Sequence, residues 1–248
     1  MILRRFSESL QQQNWAAIAI EFVLLVLGVF LGIQVANWNE VRADRAAYEA
    51  ALGRLSAEID TNLASLDAFD VDIAGSLATG SKAFTVLQSC VDSAENRRIV
   101  DVGLNTIRGT AGLYPRRNAL DEVTSNPRLL SQQTTKVRDR LSELRFYFDA
   151  LQATADFSER QPMEYGMEDN PILRIGKPFS SSGKFFGFDW VSTRRRLELD
   201  VSLAEACQDN QLVKSFFNWE RRQGSLPVIS RKWRAELVAT KALIEARP

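Results

Sequence analysis

A single carboxylate lies inside a long apolar run. Glu21 falls within Trp15–Trp38, which reads WAAIAIEFVLLVLGVFLGIQVANW. In a low-dielectric surrounding such an acid must hold a proton, take hydrogen bonds from a neighbouring helix, or reach water. At about 100° of turn per helical residue, Glu21, Leu25, Gly28, Gly32, Val35 and Asn39 share one face. Gly28 and Gly32 form a G-x-x-x-G step, which lets helix backbones approach closely in lipid. The chemistry implied is a carboxyl group shared across a helix–helix contact. A proton or ion relay is the alternative, and an acid hydrated near the interface is the plainest reading.

Two other constellations could do chemistry. Cys90 and Cys207 are the chain's two cysteines. They are too few for a structural zinc site but sufficient for one disulfide in an oxidising compartment; two buried free thiols are the other reading. The cationic clusters are Arg97-Arg98, Arg116-Arg117, Arg194-Arg195-Arg196, Arg221-Arg222 and Arg231-Lys232. Solvated helix faces account for most of them. Arg194, Arg195 and Arg196 directly follow an aromatic stretch and are the best candidates for holding an anionic ligand or lipid headgroup.

Much chemistry is excluded. The chain has no histidine, so a triad with a His base, a His-containing metal site and a His-based pH switch are ruled out. Ser180-Ser181-Ser182-Gly183 is followed by Lys184, but no base stands in a recognisable pattern, so no catalytic residue is assigned. Asp70 and Asp72 point to different helix faces. Phosphate-cradling and dinucleotide glycine patterns are absent, and no cofactor or metal site is expected. Lys plus Arg equals Asp plus Glu at 31 each, which gives no footprint for nucleic acid.

The apolar run is long enough to cross a bilayer as a helix, with Trp15 and Trp38 suited to the two interfaces. Gln34 lies nearly opposite the Glu21 face; Asn37, Trp38, Asn39 and Glu40 form the exit. A cleaved signal peptide is the rival reading. The run is long for a signal core, carries Glu21, and would place Gln34 at minus three for cleavage after Ala36. Arg4 and Arg5 before the run, against Arg42 and Arg45 after it, slightly favour a cytoplasmic N-terminus. Residues 1–14 are thus read as a short cytoplasmic segment, 15–38 as a transmembrane helix and 39–248 as an extracytoplasmic helical domain.

Beyond the span, apolar residues from Tyr48 to Val91 recur in steps of three and four, with one gap of seven and no proline, predicting that the spanning helix runs on to about Val91, weakened at Gly75 and Gly80. Further helices are predicted at Arg97–Ile107, Asn118–Thr124, Lys136–Phe157, Leu197–Cys207, Gln211–Arg222 and Pro227–Glu245. Residues 161–192, rich in Gly, Pro and aromatics, read as an irregular loop with at most a weak hairpin near Phe185–Trp190. The fold class expected is all-α: an antiparallel bundle with the long membrane-proximal helix as one member.

Glu21, Leu24, Gly28, Gln34 and Asn37-Trp38-Asn39-Glu40 resemble the N-terminal signature of a large, uncharacterised bacterial family of single-pass membrane proteins. Its members carry a Gly-Glu start, an apolar run with a Gly, then a Gln and an Asn-Trp-Asn-Glu exit. Ala119–Leu151, with Leu120-Asp121-Glu122-Val123 ahead of a basic and apolar helix, is similar to that family's second half. Ile20 stands where the family has Gly, a departure that bears on close packing at that level. The resemblance implies an anchored helical domain of unknown function and no catalytic residue.

These readings imply a bacterial inner-membrane protein with one span and a periplasmic domain, acting as scaffold or sensor. Its partners would be the bilayer and either a second copy or another membrane protein, with no nucleic acid. Two other functions are compatible: a subunit of an ion-driven envelope complex using Glu21, and a hydrolase with its site in 161–190.

Overall fold

The structure, a computed structural model, describes residues 15–163, 167–185 and 188–246. The short N-terminal segment 1–14 lies outside these residues, as do the side chains of Trp15 and Lys184.

The first helix, α1 (Trp15–Gln88), is 74 residues long. No proline interrupts it, and it continues through Gly75 and Gly80. At 1.5 Å per residue it is about 110 Å long. Its N-terminal part is apolar and long enough to cross a membrane. Residues 20–43 are exposed throughout, and the core begins at Tyr48. From there Tyr48, Leu52, Leu55, Ile59, Leu66 and Ile73 are buried, as the three-and-four spacing requires.

Six more helices follow: α2 (Ala94–Ile107), α3 (Asn118–Ser125), α4 (Pro127–Gln132), α5 (Thr135–Arg160), α7 (Asn210–Gln223) and α8 (Leu226–Glu245), with the single turn α6 (Leu203–Ala206) ahead of α7. Their starts are set by side chains that accept otherwise unpaired backbone N–H groups: Ser93 for α2, Asn126 for α4, Thr134 for α5 and Asp209 for α7. Helix α3 has no cap of its own. Glu58 of α1 supplies one, accepting from the backbone N–H of Ala119 at 2.9 Å and Leu120 at 3.2 Å. Pro127 and Pro227 stand in the first turns of α4 and α8, where a missing N–H costs nothing.

Ion pairs give the directions. Asp60 of α1 pairs with Lys241, while Asp67 and Asp70 pair with Arg234, so α8 runs antiparallel to α1. Arg140 meets Thr240, Phe148 meets Trp233 and Ser158 meets Ser225, so α5 is antiparallel to α8. One core lies here, around Leu55, Leu120, Leu144, Trp233 and Leu237. A second lies at the far end of α1, where Ala83 and Leu87 pack with Val100 and Leu104 of α2 and with Leu212, Phe216 and Trp219 of α7. Burial of each such large apolar side chain stabilises by about 1.5–3 kcal/mol.

The structure corrects two expectations. The protein is mostly helical but not all-α. The stretch read as an irregular loop contains a long antiparallel ribbon, β1 (Leu173–Phe185) paired with β2 (Phe188–Leu199) from Leu173↔Leu199 to Phe185↔Phe188. The helix expected at Leu197–Cys207 is strand up to Leu199 and helix only over Leu203–Ala206. The cause is local: Leu197 and Leu199 are buried with Glu198 half-buried between them, a period of two. Read with Leu203 and Ala206, the same residues also fit helical spacing, which is how the strand end passes for a helix.

Candidate functional site

On the apolar N-terminal segment, Glu21, Gly28, Gly32 and Gln34 are exposed along a helix that no other part of the described chain covers. A Cβ placed on Gly28 or Gly32 would meet nothing within 4 Å, so neither glycine is needed for packing inside one chain. At the exit, Asn37, Trp38, Asn39 and Glu40 are exposed, and the Arg42 guanidinium lies 5.7 Å from the Trp38 ring. That pair places a cation and an amphipathic ring together at the level where the apolar run ends.

At the opposite end of α1, Cys90 and Cys207 form a disulfide with a Cα–Cα distance of 5.4 Å. It ties the turn after α1 to the residue that closes α6.

Between these ends the ribbon carries the arginine triplet. Its base is held by α2. The Asn105 amide donates to the Leu197 carbonyl at 2.9 Å and accepts from the Leu197 N–H at 3.1 Å. The Asp101 carboxylate accepts from the Leu199 N–H at 3.1 Å. One turn further, Arg108 donates to the Arg195 carbonyl at 3.1 Å. Burial pushes the Asp101 carboxyl above its ordinary value, partly offset by the Leu199 hydrogen bond. Arg97, Arg98, Asp101, Asn105, Arg196 and Glu198 line an open groove of about 660 Å³ between α2 and β2.

The three arginines split by strand alternation. Arg194 stacks on Trp190 with its guanidinium 4.4 Å from the ring, and Arg196 on Phe179 at 4.7 Å. Arg195, on the other face, donates to the Gly176 carbonyl at 3.3 Å. Ion pairs at the ribbon base use Arg174 with Glu198 and Asp200, and Arg108 with Glu168. Among the described residues no carboxylate pairs with Arg194, Arg195 or Arg196. A guanidinium stacked on a ring keeps its in-plane N–H groups for a carboxylate or phosphate. The triplet therefore presents two oriented cations on one face of a strand.

The sequence reading missed Asp101, Asn105 and Arg108. Asp101 and Asn105 stand at i and i+4 on a helix whose other side carries Val100 and Leu104. That spacing marks a polar stripe, but its task of holding a strand edge needs the strand to be known. The remaining basic clusters are structural or solvent-facing: Arg97 donates to the Val201 carbonyl, Arg117 pairs with Asp121 and Asp149, and Arg222 lies over Phe157. Among the described residues no cluster of three or more His, Cys, Asp or Glu could hold a metal. Comparison with family models, curated proteins and solved structures found no match.

Proposed function

We propose that the protein is a single-pass, membrane-anchored interaction protein whose helical body stands outside the cytoplasm and acts by binding partners. The observation that carries this reading is the continuity of α1. One uninterrupted helix is bare over residues 20–43, apolar for most of that length up to Trp38, and becomes the central member of the core from Tyr48 onward. The body is thus fixed rigidly to its span, the arrangement a scaffold or sensor needs and a soluble domain does not. Glu21 supports a partner within the bilayer, because a lone carboxyl facing lipid is costly. The disulfide supports placing the body in an oxidising compartment. The family resemblance of Glu21–Glu40 points the same way and extends it to the bacterial inner membrane.

Membranes from the native host supply the test. The full chain should stay in the pellet through alkaline carbonate extraction, keep its intact mass, and be digested by protease added from the side opposite the cytoplasm. A mature form beginning near Asn37, or release by carbonate, would overturn the anchor. Digestion only from the cytoplasmic side would overturn the orientation.

A further inference from the structure

The two edges of the ribbon are unlike. In an antiparallel pair, the backbone groups of successive residues alternate between the partner strand and the outer edge. Along β2, α2 takes the outward groups at Arg195, Leu197 and Leu199. The same alternation turns Val191 and Thr193 outward, and α2 has already ended at Ile107. The outer edge of β1 is blunted: Pro178, paired with Arg195, has no N–H to offer, and the register shifts between Ile175 and Pro178. Beyond this base both edges run on, at Ser180 and Ser182 of β1 and at Val191 and Thr193 of β2, and the β2 stretch is the one with an exposed apolar side chain and a cation stacked on its own strand beside it. It is flanked by Phe188 and Val191, 77% and 75% exposed, and by the stacked Arg194 and Arg196.

Charge selects the occupant. From Leu173 to Leu199 there are six Lys or Arg against two Asp or Glu, a net +4 in a chain whose formal net charge is zero. A second copy would bring the same positive ribbon edge to edge and be repelled. The membrane is out of reach. Leu199, Leu197 and Arg195 meet Asp101, Asn105 and Arg108 in that order, so the ribbon points along α2, back toward the span. Gly103 lies against Ala83, which sets Arg195 near the level of residue 78 of α1. From there to Trp38 is about 60 Å of helix. The strand from Arg195 to Phe188 covers only about 23 Å of it. A free-standing two-stranded ribbon is also marginal in water, and a third strand would stabilise it.

We infer that the Val191–Thr193 edge of β2 accepts an extended acidic segment of a partner protein as a third strand. A carboxylate of that segment lies against Arg194, the nearer of the two stacked cations, and its alternate apolar side chains lie beside Val191. The inference rests on the reading that this protein works by binding partners, and it names the chemistry of one of them.

The test uses the full chain in zwitterionic nanodiscs and a labelled ten-residue peptide of alternating glutamate and valine. Binding is read by fluorescence anisotropy and by amide exchange at Val191 and Thr193. The peptide should bind and slow exchange at both amides by about tenfold or more. The double change Arg194→Glu and Arg196→Glu should weaken binding by about tenfold or more. The same peptide N-methylated on alternate amides, which tests strand pairing without altering the protein, should not bind. Three results would overturn the inference: no binding, equal binding of the N-methylated peptide, or protection of Val191 and Thr193 by phosphatidylglycerol vesicles but not by the peptide. None of them touches membrane retention or the protease map, so the anchored-protein reading stands or falls separately.

Discussion

Gly103 of α2 lies directly against Ala83 of α1: a Cβ added to Gly103 would fall 2.0 Å from the Ala83 Cβ. Here the two helices pack backbone to backbone, with the Phe216 ring also 3.3 Å from such a Cβ. Gly103→Ala should therefore force α2 outward and destabilise by about 1–3 kcal/mol, the usual range for an overpacked core. Gly75 is the control. A Cβ there meets nothing within 4 Å, and the residue lies inside α1. Gly75→Ala should stabilise by about 0.5–1 kcal/mol through helix propensity. Denaturant unfolding in mild detergent decides both signs.

The disulfide closes a sequence separation of 117 residues. Loop-closure arguments put its contribution at about 4–5 kcal/mol. Cys90 itself has φ of 54°, in the left-handed region that favours glycine. Removing the bridge as Cys90→Ala with Cys207→Ala leaves that conformation strained. Cys90→Gly with Cys207→Ala relieves it, so the glycine pair should be more stable than the alanine pair by about 1 kcal/mol. Equal midpoints for the two variants would mean that the turn relaxes once the bridge is gone.

The helical part of this fold was legible because its signals are local and long. Tyr48, Leu52, Leu55 and Ile59 repeat over many turns, and Asn126-Pro127 marks the end of α3, although the short helix α4 that Asn126 also caps was not expected. The ribbon was not legible, for two reasons. Its middle, Ser180-Ser181-Ser182-Gly183, carries no alternating hydrophobic signal, because neither face there is buried by a second layer. Its base, Leu197 and Leu199, alternates over only three residues before the chain turns helical. The arginine triplet could be singled out from sequence. The stacking of Arg194 on Trp190 and Arg196 on Phe179 could not, since it depends on the strand and on its register with β1.

Acid should weaken the body through Glu236. Burial pushes its carboxyl up, but Lys232 and Arg140, the latter at 2.7 Å, outweigh that and hold it below the ordinary 4.5. Arg140 also donates to the Glu236 carbonyl at 2.6 Å and to Thr240 at 2.9 Å, so the carboxylate completes a largely buried network. A carboxyl whose folded value is depressed contributes stability that is present above 4.5 and lost as pH falls through the lower folded value. Glu236→Gln should cost about 1.5–3 kcal/mol at neutral pH, the range for hydrogen bonds to charged groups. It should also flatten the decline below that value. Asp101 has the opposite sign: its raised folded value gives a contribution lost as pH rises above 3.8, so Asp101→Asn should steepen the acid limb. Urea midpoints across the acid range test both slopes, and parallel curves for wild type and Glu236→Gln would remove Glu236 from the account.

The proposed span makes the remaining prediction. Lipid offers no hydrophobic drive between helices, so association must come from close backbone approach and from satisfying the Glu21 carboxyl. Because Gly28 and Gly32 touch nothing in their own chain, replacing them leaves the folded body intact, and any loss of association reports the helix–helix contact alone. Gly28→Ile and Gly32→Ile should each reduce crosslinking between spans, while Val29→Ile, off that face, should not. Glu21→Gln separates the roles of the acid. Retained association with retained function fits a carboxyl that only hydrogen-bonds, since an amide can replace it. Retained association with lost function fits a carboxyl that carries protons. Equal crosslinking for the glycine variants and wild type would dismiss the groove and leave the Glu21 carboxyl to a different partner face, with Gln34 as the next polar group to test.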